Sequence, residues 1–113
     1  MVGETETEAR GRGAELLVGR FPFAALGRAQ AIRETEGFVK IVADKNSHKV
    51  LGGAIVGPEA SNIVGELCLA LKVGATVEDL GSTIHPHPTL SEAIGEAAEA
   101  CLGQALHILP PRR

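Results

Sequence analysis

The stretch Ile84-His85-Pro86-His87-Pro88-Thr89-Leu90-Ser91-Glu92 is the one concentrated set of functional side chains in the sequence, and it holds two of the four histidines. Pro86 and Pro88 bias the residues before them to extended backbone, which would place His85 and His87 on the same side of the chain. Two chemistries fit this arrangement. A pair of imidazoles can bind zinc, but the third and fourth ligands would have to come from scattered residues. Alternatively, a carboxylate near an imidazole fixes its tautomer and raises its basicity, so Glu92 could make His87 a general acid-base residue. Spacing alone also gives Glu92 a structural role, because Thr89-Leu90-Ser91-Glu92 has the form of a capping box at the start of a helix.

The other reactive groups point less firmly to chemistry. Cys68 and Cys101 lie far apart in apolar, helix-like stretches, without the close Cys-x-x-Cys spacing of a redox pair, so both are expected to be buried thiols. Gly52-Gly53-x-x-x-Gly57 ahead of a helix invites a phosphate-loop reading, since amides at a helix N-terminus bind anions. It matches neither established glycine pattern, and Pro58 removes an amide that such a site would use, so a structural turn is expected.

These residues need elements to position them. Thr5 and Glu8 form a capping box that opens a short helix ending at Gly11 and Gly13. Ala14 to Val18, continued by Phe21-Pro22-Phe23, reads as a strand closing on a proline. Ala24 to Ile32 gives no clear pattern. Period two returns from Phe38, with Val39, Ile41 and Ala43 on one face, then the turn residues 44–49, then Val50 to Val56, which together predict an antiparallel hairpin. Gly52 and Gly53 within it suggest a bulge or a close backbone approach. Pro58 suits the first position of a helix carrying Ile63, Val64, Leu67, Ala70 and Leu71 and capped by Gly74. Thr76 and Asp79 open another short helix, and Thr89 to Leu106 predicts a last long one, with Gly103 marking a candidate end. The fold class is α+β: an antiparallel β-sheet with helices packed on one side, as one domain over residues 1–113.

Composition excludes several classes of function. A net charge of -3 with 11 scattered Lys and Arg leaves no basic stripe for phosphates, and three phenylalanines make no stacking platform, so no nucleic-acid partner is expected. The apolar runs stop well short of the roughly 20 residues that span a bilayer, so no membrane partner is expected either. Met1 to Glu8 is acidic and lacks an apolar core, unlike a secretory signal, which makes the cytoplasm the expected compartment.

His85-Pro86-His87-Pro88-Thr89-Leu90-Ser91-Glu92 resembles the His-x-His-Pro-Thr-x-x-Glu signature near the C-terminus of dihydrolipoamide dehydrogenases, a branch of the flavin-dependent disulfide reductases. Similarity extends, in the family's order and spacing, to residues 21–29, Gly37-Phe38-Val39-Lys40, Val50-Leu51-Gly52, Val56-Gly57-Pro58 and Leu80. What resembles the family is its C-terminal dimerisation domain, short of the strand that normally precedes Val2. The Cys-x-x-x-x-Cys pair and the Gly-x-Gly-x-x-Gly loop of the flavin and nicotinamide domains are not in the sequence.

The resemblance implies a function divided between subunits. A homodimer would form through this domain, and His87 would reach the other subunit's disulfide and flavin, exchanging a proton with the dihydrolipoamide thiol while Glu92 orients it. His87 and Pro88 would lie with their backbone against the partner's FAD, joined by a cis bond, a geometry that even prolyl bonds adopt in only about 5% of cases. FAD and NAD would bind elsewhere in the whole enzyme, which would serve a 2-oxo acid dehydrogenase complex, and the chain alone would be inactive. The alternatives are the same domain from a glutathione reductase-like enzyme, which the paired histidines fit less well, a free-standing protein-interaction module, and a small metal-binding protein using His85 and His87.

Overall fold

The computed structural model describes residues 1–25, 37–57, 60–83, 85 and 91–103. Four antiparallel strands, β1 (Val2–Gly3), β2 (Leu16–Pro22), β3 (Phe38–Asp44) and β4 (Val50–Val56), form one sheet in the order β1-β4-β3-β2. Pro22 is the last residue of β2, an edge strand, where its missing N–H costs no ladder bond. The predicted hairpin is β3 and β4. Pairing shifts between Val42 and Ala43, so Leu51 is the extra residue of a bulge, and its carbonyl accepts from the Glu4 amide at 2.9 Å. Gly52 is the close approach expected there: a Cβ would lie 2.8 Å from the Glu4 nitrogen and nearer still to the Glu4 carbonyl oxygen.

Among the described residues the helices are α1 (Glu6–Gly11), α2 (Ala60–Val73), α3 (Val77–Ser82) and α4 (Glu92–Cys101), with a 3-10 turn at Phe23–Ala25. The capping boxes of α1 and α3, at Thr5/Glu8 and Thr76/Asp79, are both closed. Gly74 (φ 68°) follows α2, and Gly103 (φ 73°) stands just past α4. The last helix therefore ends at Cys101, before the predicted Leu106, because Gly103 supplies the left-handed residue that stops it. Ser91 already has helical angles (φ −65°, ψ −18°) and makes no side-chain cap bond; the predicted cap Thr89, like Pro58 and most of 24–32, lies outside the described residues.

Phe21, Val39, Ile41, Ala43 and Ile55 point from the sheet onto α2, α3 and α4, where Leu67, Ala70, Val77, Leu80, Ile94, Ala97 and Ala98 complete the core. The alternating residues Lys40 and Val42 face the other side, as strand geometry requires. There the short α1 lies across them, burying Ala9 and Val42 and pairing Glu6 with Lys40 at 2.8 Å. Burying both faces of the central strands is why Val42 reads as apolar on a face that would otherwise be wet.

Only one of the two thiols is interior. Cys101 is buried under the sheet, and burial pushes its pKa up to about 12, so it stays a protonated, inert thiol. Cys68, expected to be buried, is exposed. It follows the fully buried Leu67 by one residue, a rotation of about 100° that carries it off the core stripe.

Candidate active site

Residue Glu92 opens α4 and lines an open cleft of about 440 Å³ together with Gly81, Thr83, His85, Gly95, Glu96 and Glu99. Helix α4 is held there by its floor. It packs on β2 at Gly19, where the strand carries no side chain and the Ala97 and Cys101 backbones come directly against the sheet. The second half of α4 is thereby fixed relative to the core.

The described histidine of the segment is His85. Its Nε2 lies 2.7 and 3.0 Å from the two carboxylate oxygens of Glu66 on α2, and only 8% of its side chain is exposed. An ionised carboxylate only accepts, so the hydrogen sits on Nε2. The Cε1–Nδ1 edge of the ring lies against Gly95 of α4: a Cβ there would stand 3.1 Å from both atoms. This engagement takes one ring nitrogen away from the zinc reading of the sequence. Among the described residues no three His, Cys, Asp or Glu side chains gather as a metal site.

His87 and Pro88, the other residues singled out from the sequence, lie outside the described residues, as does the His87–Pro88 bond. The structure brings Glu92 and His85 to one cleft and leaves the pairing of Glu92 with His87 undescribed. It adds two residues that sequence reasoning passed over. Gly95 had a signal, since a glycine inside an alanine-rich helix costs about 1 kcal/mol and calls for a packing reason. Glu66 had only a weak one, as a charge interrupting the apolar spacing of α2.

The glycines ahead of α2 do not form a nucleotide cradle. Gly52 and Gly53 belong to β4, and the space over Gly52 is filled by the Glu4 backbone. No helix among the described residues is long and apolar enough to cross a membrane.

The family model for the dimerisation domain of pyridine nucleotide-disulphide oxidoreductases matches residues 1–98. The chain belongs to that family. Similarity to particular proteins narrows the branch. Over 108 residues this dimerisation domain is 55% identical to a protein named dihydrolipoyl dehydrogenase from Haloferax volcanii and 56% identical to one from Halobacterium salinarum, covering 96% of the chain and 23% of each relative. A Bacillus subtilis protein of the same name is 50% identical over 106 residues, 94% of the chain and 22% of the relative. Among solved structures, LpdA from Mycobacterium tuberculosis superposes with a TM-score of 0.80 at 30% identity over 87% of the chain and 21% of that protein. The HOCl-induced flavoprotein disulfide reductase RclA from Escherichia coli gives 0.82 at 28% over 87% and 22%. The chain is thus a dimerisation domain of the dihydrolipoyl dehydrogenase kind, spanning 23% of the length of the first of these relatives.

Proposed function

We propose that this domain joins two subunits of a dihydrolipoyl dehydrogenase and lends His87, with Glu92 behind it, to the partner subunit's disulfide and flavin. The observation that carries the reading is the 55% identity over 96% of the chain to a protein of that name, with the His87 motif inside the aligned stretch. The placement of Glu92 in an open cleft supports it. So does the outer face of α2, where Leu69 and Val73 are 61% and 66% exposed and leave apolar surface for a second copy to cover.

In this reading FAD and NAD sit on domains outside the chain and carry the electrons, because the space over Gly52 and Gly53 is filled by protein and does not fit a dinucleotide. The chain's own contribution is a proton. His87 takes it from a dihydrolipoamide thiol, leaving a thiolate, the reactive form, beside an imidazolium. Glu92 accepts from the second ring nitrogen, holding the tautomer and stabilising the charge. A 2-oxo acid dehydrogenase complex is the assembly such an enzyme serves, and the cytoplasm is its compartment.

The test is a chimera in which this chain replaces the matching part of the Haloferax volcanii enzyme. Turnover of dihydrolipoamide is expected, falling about 10²- to 10⁴-fold in His87→Ala and less in Glu92→Gln. The isolated chain is expected to scatter light as a dimer at micromolar concentration and to be colourless. An inactive chimera, near-normal turnover in His87→Ala, or flavin co-purifying with the isolated chain one to one would overturn the reading.

A further inference from the structure

The acid-base reading uses His87 and leaves His85 without a task, yet His85 is firmly held in the described structure. Its ring is held from two elements. Glu66 of α2 takes Nε2 with both oxygens, and Gly95 of α4 leaves room for the Cε1–Nδ1 edge of the ring. The ring is nearly buried, and so is tied where a surface histidine would be free to change rotamer. Gly95 is the only residue type that leaves this room without pushing the ring outward.

What this fixes is the backbone two residues ahead of the acid-base group. Two Cα steps span at most about 7.6 Å. Within them Pro86 locks its own φ near −65°, and it restricts His85 to extended backbone. Few soft dihedrals therefore separate a clamped His85 from His87.

We propose that Glu66, His85 and Gly95 form a positioning site, a carboxylate-imidazole clamp seated on a helix glycine, that aims His87 at the reacting thiol. The proposal rests on the role given to His87 above. Glu66 and His85 are positioning residues and touch no substrate.

In the active chimera, Glu66→Leu lowers kcat about tenfold with KM unchanged, because it misplaces a proton acceptor and leaves substrate contacts alone. Glu66→Gln, which keeps an oxygen for the Nε2 hydrogen, restores most of the rate. Gly95→Ala pushes the ring by a few tenths of an ångström while adding helix propensity, so kcat falls several-fold with the melting temperature level or raised. In a His87→Ala background, Glu66→Leu costs nothing further. Unchanged kcat in Glu66→Leu, an equal loss in both backgrounds, or kcat and melting temperature falling together in Gly95→Ala would overturn the proposal. An inactive chimera would refute the function and leave the clamp to be judged in the 113-residue chain by amide exchange. There Glu66→Leu speeds exchange at His87 about tenfold and leaves Ile94 unchanged, and equal rates at His87 would overturn the clamp.

Discussion

Replacing Gly19 by alanine tests how the fold holds the second half of α4 on the sheet. Gly19 has an ordinary strand conformation, so the cost is steric. An added Cβ would lie 2.6 Å from the Cys101 nitrogen, 2.7 Å from its Sγ, and closer still to the Ala97 carbonyl oxygen. The sulfur can rotate, but the two backbone atoms cannot, and contacts near 3.5 Å are restored only if α4 lifts by roughly 1 Å. Overpacking of this kind costs about 1–3 kcal/mol, and a clash with main chain belongs at the upper end. The alanine gives back about 0.5 kcal/mol through a stiffer unfolded chain, for a net loss of about 2.5 kcal/mol. With an unfolding entropy of about 2.1 cal/mol/K per residue, a chain of this length should melt roughly 10 °C lower. Calorimetry of the isolated chain measures it. A drop of under about 3 °C, with α4 still seated on β2, would refute the claim that Gly19 is where the helix backbone meets the sheet.

Gly65 lies on the exposed side of α2 with nothing near its missing Cβ, so in the monomer, at concentrations below dimerisation, Gly65→Ala should stabilise by about 1 kcal/mol and raise the melting temperature by about 4 °C; a decrease there would count against the packing described for α2. Lys40 first, and Arg10 second, hold the Glu6 carboxyl below its usual 4.5. A carboxylate whose pKa is depressed on folding stabilises fully above its unfolded value and loses that contribution as pH falls through the folded one. Glu6→Gln should therefore cost about 0.5 kcal/mol in denaturant titrations at pH 7 and next to nothing near pH 2, and an equal cost at both pH values would refute the pairing. Cys101, buried and with its pKa near 12, should resist a thiol reagent until denaturant is added, whereas Cys68 should react in the native chain; mass spectrometry reads the two peptides, and native labelling of Cys101 would show that its cover opens.

Much of the fold could be read from the order of residues. Period-two alternation from Phe38 marked the β3–β4 hairpin, the spacing of Ile63, Val64, Leu67 and Leu71 marked α2, and glycines 74 and 103 stand where helices stop. The His87 motif singled out Glu92, which lines the cleft. These are local features, set by which side of its own element a residue occupies and by which residues tolerate a left-handed turn. What periodicity does not carry is which surface comes to lie opposite. The 19-residue separation of Glu66 and His85, the seat at Gly95, the bare contact at Gly19 and the placement of α1 on the second face of the sheet all depend on two elements meeting. Cys68 shows the same limit at the scale of one residue: an apolar stretch gave it an interior reading, but the rotation of α2 against the sheet spent its inward face on Leu67 and Ala70 and turned the thiol to solvent.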